Sequence, residues 1–341
     1  MTEAKYPQSN PLEMRPTLLL SGDELASLLQ PGDYLTAVEQ GFRALGEGRA
    51  FSPPPLHLPC VEGGFHAKAA SLNGEHVALK LNGNFPGNPR RGLPTIQGAI
   101  LLCNAETGAL LAIMDSIELT IRRTAAATAL AALHLARRDA ARLAICGCGA
   151  QALAQAEALA DVLPITRGVA WDIDPAKAQR FALKAADALG CEFYLSSDLA
   201  GAARGADVIV TCTTSRAPFL DETHVAPGVF IAAVGADNPE KSEIASTLMA
   251  KAAVVADVTD QCAHMGDLHH AIAAGVMCAA DVRAELADLV TGAHPGRCDP
   301  AEIIVFDSTG VAVQDVASAA LAYERARASG RGVPFTFTHG A

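Results

Sequence analysis

The chain has 341 residues, with 26 lysines and arginines against 37 aspartates and glutamates, so its formal net charge is −11 at pH 7. Half of the residues are hydrophobic and 18% are charged. This composition excludes an intrinsically disordered chain, and the length favours two domains. The acidic balance argues against nucleic acid or an anionic membrane surface as a partner, because both attract basic patches.

The N-terminal segment and the cysteine pattern bear on the cellular compartment of the protein. The N terminus lacks a basic segment followed by an apolar run, and no stretch of about 18 uncharged apolar residues is present. The nine cysteines are an odd number without a Cys-x-x-Cys pair, which is typical of reduced thiols. We therefore expect a cytoplasmic protein with no membrane partner.

The first third of the sequence predicts a mixed region of helices and antiparallel strands. A strand is predicted at 18–21, and Ser21 with Glu24 has the spacing of a helix capping box. A helix follows at 33–47. Short apolar runs bounded by turn residues then predict antiparallel strands, at 65–72, 77–81, 99–103 and 110–114.

The pattern changes near residue 117, where an alanine-rich helix begins. Beyond it, short apolar strands alternate with helical segments, at 142–146, 169–171, 207–211, 229–234, 253–256 and 303–306. Such alternation predicts a parallel sheet built from β-α-β units. A last helix, at 315–327, is expected to pack back onto the first region. The sequence thus predicts an α/β protein with a parallel, Rossmann-type sheet and a smaller α+β domain.

A glycine loop follows the first strand of the parallel region. Gly147, Gly149 and Ala152 form a G-x-G-x-x-A pattern between a predicted strand and a predicted helix, and Asp172 lies at the end of the next strand. This arrangement is typical of dinucleotide binding, with the diphosphate on the helix N terminus and the acid on the ribose. The acid favours NAD over NADP, although NADP remains possible. The alternative is an ordinary strand-to-helix turn in which Asp172 only caps the next helix.

Three charged residues could carry chemistry. Lys80 lies in an apolar strand, either on its exposed face, which the strand pattern alone favours, or buried opposite an anion. Arg123, near the start of the alanine-rich helix, could bind a carboxylate with two parallel N–H bonds or simply be solvated. Asp237 follows a strand at the carboxyl edge of the predicted sheet, where we expect a raised pKa and proton exchange with an amine or imine. It could instead be a turn or capping residue.

A metal site is not expected. Several potential ligands cluster in the sequence, namely Cys262, His264, Asp267, His269 and His270. Their spacing fits no standard zinc pattern, and a helix at 266–274 would place the adjacent histidines on different faces.

Several short motifs occur in order, namely Lys80-Leu81-Asn82-Gly83, Gly92-Leu93-Pro94-Thr95, Arg122-Arg123-Thr124, Gly147-Cys148-Gly149-Ala150-Gln151, Val234-Gly235-Ala236-Asp237 and Phe306-Asp307-Ser308. Together they resemble the ornithine cyclodeaminase/mu-crystallin family. The resemblance extends from about residue 17 to about residue 325.

The resemblance implies a homodimer whose subunit has a substrate-binding and dimerisation domain at 1–125, rejoined by a C-terminal helix at 315–341, and an NAD(P)-binding Rossmann domain at 126–314. The substrate would be a small amino or imino acid. Lys80 and Arg123 would hold its carboxylate, Asp237 would donate or accept the proton, and Thr309 would border the substrate. The residues expected to bind the cofactor are Thr95, Arg123, Gly147, Gly149, Ala150, Gln151, Asp172, Thr213, Val234, Gly235, Ala236, Asp237, Lys241 and Ser308.

One departure from the family bears on the substrate. Cyclodeaminases carry an arginine in the early proline-bearing segment, whereas here Pro53 to His57 contains none. Lys68 is a candidate replacement in the substrate site. The change favours reduction of a cyclic imine, such as Δ1-pyrroline-2-carboxylate, over conversion of ornithine to proline and ammonia. A third possibility is a protein that binds NAD(P) and a small ligand without turnover.

Overall fold

A computed structural model describes residues 16–337 of the chain. The polar N-terminal segment and the last residues of the predicted C-terminal unit lie outside the described residues. Within them the backbone forms two separate eight-stranded sheets. Among these residues, no helix is both long and apolar enough to cross a bilayer.

The first sheet is mainly antiparallel. Its strands are β1 (Thr17–Leu20), β2 (Ala50–Phe51), β3 (Leu56–Cys60), β4 (Gly63–Leu72), β5 (His76–Asn84), β6 (Ile96–Asn104), β7 (Leu110–Asp115) and β16 (Val333–Phe335). They run in the order β16-β1-β7-β6-β5-β4-β2, with β3 paired to β4. The predicted hairpins are confirmed, since β4, β5, β6 and β7 pair in sequence as antiparallel neighbours.

The second sheet is entirely parallel. Its strands are β8 (Arg142–Cys146), β9 (Arg167–Trp171), β10 (Glu192–Leu195), β11 (Val208–Thr211), β12 (Phe230–Ala233), β13 (Ala253–Ala256), β14 (Ala284–Glu285) and β15 (Ile304–Asp307). The order is β10-β9-β8-β11-β12-β15-β13-β14. The order in which successive strands are added reverses at β8, so the carboxyl edge at this point forms the crevice where such sheets bind ligands. The parallel sheet predicted from the sequence is confirmed.

Helices cover and connect the sheets. They are α1 (Gly22–Leu28), α2 (Pro31–Gly46), α3 (Ser116–Leu135), α4 (Ala152–Val162), α5 (Pro175–Leu189), α6 (Leu199–Ala203), α7 (Ser246–Lys251), α8 (Thr259–Cys262), α9 (Asp267–Ala273), α10 (Leu286–Thr291) and α11 (Ala312–Ser329). The capping box at the start of α1 is present. The predicted domain boundary at 125/126 falls inside α3, and it remains a prediction.

Helix α3 is buried over most of its surface. It contacts α2 and α11 next to the first sheet and α4 next to the second. Its many alanines allow neighbouring helices to approach closely, and Ala127, Ala131 and Leu130 are almost inaccessible. Helix α11 returns to the first sheet, as predicted, and contacts β4 and β5. These two helices carry Arg123 and Asp315 into the same interior region.

Strand β5 corrects one expectation. The strand pattern alone favoured an exposed Lys80, but Lys80 is 4% exposed, whereas Val77, Leu79 and Leu81 on the opposite face are 37–43% exposed. The physical reason is Asp315 on α11, which forms an ion pair with Lys80 at the inner side of the sheet. Burial of a lysine is tolerated when such a partner is present.

Candidate active site

The glycine loop lies at the carboxyl end of β8. Gly147 has φ +99°, and a Cβ there would collide with the Cys212 carbonyl and the Thr213 methyl group. A side chain is therefore excluded both by the backbone and by the neighbouring loop. In contrast, a Cβ at Gly149 would meet open space. The loop thus leaves room above Gly149, where a diphosphate could approach the backbone.

Helix α4 begins directly after this loop. No described side chain caps its N terminus, and Gln151 occupies the capping position. The free N–H groups and the helix dipole favour an anion there. The buried Oε1 atom of Gln151 also has no hydrogen-bond partner among residues 16–337. The loop, the open space and the unpaired amide oxygen fit a dinucleotide.

Asp172 lies at the end of β9, beside the glycine loop. Its Oδ2 accepts a hydrogen bond from the Cys148 backbone N–H at 2.8 Å, and its Oδ1 accepts one from Asp174 N–H at 2.9 Å. The carboxylate is thus fixed against the loop by two backbone donors. Each oxygen retains a further lone pair that could accept from a ribose hydroxyl.

Asp237 follows β12, and its electrostatics correct the sequence expectation. Its Oδ1 is 2.6 Å from Lys241 Nζ, and its side chain is 46% exposed. Burial raises the pKa of this carboxyl, but Lys241, Lys68 and His66 outweigh burial and lower the pKa below its usual value. The expected raised pKa is therefore wrong, because cations surround the acid. Asp237 is ionised at neutral pH.

Lys80 and Arg123 converge on one carboxylate that the sequence reasoning missed. Lys80 Nζ is 2.7 Å from Asp315 Oδ2, and Arg123 Nε is 2.9 Å from Asp315 Oδ1. A second guanidinium nitrogen of Arg123 donates to Gln314 Oε1 at 2.5 Å. Burial, followed by Arg123, lowers the pKa of Lys80 to about 7, although Asp315 opposes this shift. When Lys80 is protonated, two cations share one anion in a buried position, which leaves a net positive charge.

Lys68 connects this ion cluster to the parallel sheet. It pairs with Lys80 across β4 and β5, so both side chains lie on the inner face. Its Nζ donates to the Thr309 and Gly310 carbonyls, at 3.0 and 2.7 Å. Burial, then Arg123, lowers the pKa of Lys68, whereas Asp237 raises it. The lysine therefore lies within electrostatic range of both Arg123 and Asp237.

The other expected cofactor residues occupy the carboxyl edge of the parallel sheet, with one exception. Thr213 follows β11, the residues from Val234 to Asp237 follow β12, and Ser308 follows β15. Thr95 is the exception, since it precedes β6 in the first sheet and its carbonyl accepts from Phe85 N–H. The Thr309 hydroxyl is buried and donates to Asp257 at 3.1 Å.

The Cys and His residues of the 262–270 segment find separate protein partners. Cys262 Sγ donates to Asp257, and a ring nitrogen of His270 is 2.8 Å from the Lys241 carbonyl. Asp267 accepts from the backbone of Glu243 and Ile244. Within the described part of the chain, no three His, Cys, Asp or Glu side chains are grouped as metal ligands.

Comparison with known proteins identifies the family. The ornithine cyclodeaminase/mu-crystallin family profile matches residues 17–330. The chain belongs to this family. It is 37% identical over 321 residues to alanine dehydrogenase of Archaeoglobus fulgidus, covering 94% of this chain and 98% of that protein.

Two solved structures have the same fold along nearly the whole chain. One is an archaeal alanine dehydrogenase dimer with bound NAD, with a TM-score of 0.91, 37% identity and coverage of 94% of this chain and 99% of that one. The other is Δ1-pyrroline-2-carboxylate reductase of Thermococcus litoralis in complex with NADH and L-proline. It has a TM-score of 0.90, 31% identity and coverage of 93% of this chain and 99% of that one.

A buried acid at the same edge predicts a pH dependence of stability. Burial, and next the charge of Asp267, raises the pKa of Glu243 to about 7 from an ordinary value of 4.5. The folded protein therefore keeps a proton that the unfolded chain has lost between these pH values. The stabilisation is fully present below about pH 4.5 and is lost as the pH rises through about 7.

We expect Tm to fall over this pH range in calorimetry. In Glu243→Gln the fall should be shallower, and an unchanged slope would contradict this assignment.

Proposed function

We propose that the protein is an NAD(P)-dependent enzyme that transfers a hydride to the α-carbon of a small imino acid, with a cyclic imine such as Δ1-pyrroline-2-carboxylate as substrate. The supporting observation is that Lys68 lies within electrostatic range of both Arg123, which is paired with Lys80 through Asp315, and Asp237. Reaction at an α-carbon requires a pair of residues that binds the substrate carboxylate and a group that interacts with the substrate nitrogen.

The cofactor proposal rests on the glycine loop and the Asp172 carboxylate. The free N terminus of α4 would hold the diphosphate, Asp172 would bind the adenosine ribose, and Thr213 with the residues from Val234 to Asp237 would line the remaining site. When bound, the nicotinamide supplies or accepts a hydride at C4. NAD is favoured over NADP, because a carboxylate at the ribose repels a 2′-phosphate. Relatives of known structure contain NAD and NADH.

The substrate carboxylate would bind at Lys80 and Arg123. With Asp315 ionised and Lys80 protonated, these three groups leave one net positive charge, and Lys68 adds another when it is protonated. A substrate carboxylate would neutralise part of this excess through charge-assisted hydrogen bonds. Such fixed binding would orient the α-carbon for hydride transfer.

Asp237 would interact with the substrate nitrogen. The Lys241 and Asn238 side chains both donate to Oδ1, whereas Oδ2 has no side-chain partner within residues 16–337. An ionised carboxylate stabilises a protonated imine, which is more electrophilic than the neutral form. The substrate itself then carries the proton, hydride adds to carbon, and the product is a secondary amine. In the reverse direction the same carboxylate would accept the amine proton.

The charges around the site disfavour a diamine such as ornithine. Its second ammonium group needs a free acid, but Asp315 is already paired with Lys80 and Arg123. Next to Lys68 on this face, His57 of β3 pairs with His66 of β4, and neither histidine supplies a carboxylate. A cyclic imine needs no second ammonium site, so reduction agrees better with the structure than cyclodeamination.

We also propose a homodimer formed through the first sheet. The outer face of β5 exposes Val77, Leu79 and Leu81, and Leu101 of β6 is the cross-strand partner of Leu79. A contiguous apolar face of this kind indicates a protein interface. The archaeal alanine dehydrogenase with a similar fold is a dimer.

The first experiment tests the reaction and Asp237 together. The protein should oxidise NADH in the presence of pyrroline-2-carboxylate, and it should release little ammonia from ornithine with catalytic NAD⁺. Asp237→Asn should abolish turnover, because the neutral amide cannot stabilise the protonated imine, while NADH titration shows retained binding. Near-normal activity of this variant would remove Asp237 from the mechanism. Absence of imine reduction by the unaltered protein would contradict the proposed function.

Lys80→Met should weaken substrate binding. A hydrogen bond to a charged group contributes about 1.5–3 kcal/mol, so KM for the imine should rise about tenfold or more. The value of kcat should also fall, because the carboxylate is less well oriented. Steady-state kinetics at saturating NADH measure both effects. Arg43→Met provides a surface control, since among residues 16–337 Arg43 forms an ion pair only with Glu39 on the same helix. Unchanged kinetics for Lys80→Met would exclude a role in binding.

Asp172→Ala should reduce the preference for NADH over NADPH. Loss of the Cys148 contact weakens the loop for both cofactors, so the ratio of their kcat/KM values isolates the ribose interaction. An unchanged ratio would mean that Asp172 does not contact the ribose.

Leu79→Glu should convert the proposed dimer to monomer, because a charge in an apolar interface is desolvated without a partner. Sedimentation equilibrium measures the mass, and Leu183→Glu, at an exposed leucine of α5, is the control. A monomeric unaltered protein, or a Leu79→Glu variant that remains dimeric, would contradict the proposed interface.

A further inference from the structure

Glu243 is a buried carboxylate that the sequence analysis did not identify. It is 0% exposed and lies between the loop that carries Asp237 and helix α7. Its backbone is fixed on two sides. The Glu243 carbonyl accepts from the Phe219 and Leu220 N–H groups, and its own N–H donates to Asp267 Oδ1 at 2.8 Å. The side chain therefore projects from a rigid segment.

The carboxylate of Glu243 contacts two loops at the edge of the parallel sheet. Its Oε1 accepts from Thr213 N–H at 2.6 Å, in the loop after β11. Its Oε2 accepts from Gly235 N–H at 2.9 Å, in the loop after β12, and from the Thr211 hydroxyl at 2.8 Å. One side chain thus satisfies backbone donors of both loops.

The glycine at position 235 fits this contact. A Cβ at Gly235 would overlap the carboxylate of Glu243. Gly235 does not have a positive φ, so its backbone conformation does not itself require glycine. The approach of the Glu243 carboxylate explains why a side chain is absent at the start of the loop that leads to Asp237.

We propose that Glu243 is a positioning residue that holds the Thr213 loop and the Gly235–Asp237 loop at a fixed separation, so that both loops contact the cofactor simultaneously. The proposal rests on the proposed cofactor-binding role of these loops. It adds a residue that contacts neither cofactor nor substrate. Above its pKa of about 7, ionised Glu243 accepts from donors on both oxygens, whereas the amide of glutamine has one accepting oxygen and an NH₂ group that cannot accept, so the two are compared above that pH.

The test is NADH binding by Glu243→Gln, measured by fluorescence titration with the full chain. Loss of a hydrogen bond to a charged group should raise the Kd for NADH about tenfold and lower kcat. KM for the imine should rise much less than the Kd for NADH, because Lys80 and Arg123, which would bind the substrate carboxylate, are untouched. This separation of cofactor affinity from substrate KM would not arise from general destabilisation.

Asp207→Asn is the matched control. Asp207 is also a buried carboxylate, and its Oδ2 accepts from the Ala141 and Arg142 N–H groups at 3.0 Å. It precedes β11 and so lies at the opposite edge of the same sheet. This variant should lower Tm while leaving the Kd for NADH unchanged.

A second pair of variants covers the case in which Glu243→Gln does not fold. Thr211→Val removes the hydroxyl donor to Glu243 with little change in shape, and Thr211→Ser retains it. The valine variant should weaken NADH binding and the serine variant should not.

The outcomes separate the two proposals. Failure of the unaltered protein to bind NADH would overturn the proposed function itself. If the unaltered protein binds NADH, wild-type affinity in both Glu243→Gln and Thr211→Val would overturn only the positioning role. Equal loss of affinity in Asp207→Asn would overturn it too, because the effect would then reflect domain stability.

Discussion

The site depends on the shared ion pair between Asp315 and the two cations Lys80 and Arg123. A buried cation is costly without an anion, and two adjacent cations repel each other. Asp315 allows both to be buried and fixes their direction. Because one anion cannot neutralise two cations, the cluster keeps a positive charge while Lys80 is protonated. We infer that a substrate carboxylate completes it, so the arrangement that lets the lysine be buried also creates affinity for an acid.

The fold brings these charged side chains together from distant parts of the chain. Lys80 comes from the first sheet, Arg123 from the helix that runs between the sheets, and Asp315 from the helix that returns at the end. Lys68 then connects the cluster to the parallel sheet through the Thr309 and Gly310 carbonyls. The proposed substrate site is therefore assembled with the tertiary fold, while the proposed cofactor site is built from successive loops along one sheet edge.

This difference explains what the sequence predicted. The glycine loop and the strand that ends in Asp172 are local patterns, and their geometry agrees with expectation. The strand pattern could not predict the face on which Lys80 lies. Apolar residues of a strand usually face the core, but those of β5 are on the exposed side and Lys80 is on the buried side. Asp315 is 235 residues from Lys80, so spacing gave no signal for their contact. The lowered pKa of Asp237 likewise comes from Lys68 and His66 on the other sheet as well as from nearby Lys241.

Isotope transfer tests the central claim most directly, namely that the cationic site presents an α-carbon to the nicotinamide. The protein would be incubated with pyrroline-2-carboxylate and NADH that carries deuterium at both C4 positions, and the proline formed would be examined by NMR. The account predicts deuterium at the α-carbon of proline. Proline without deuterium, or no proline although both ligands bind, would contradict it.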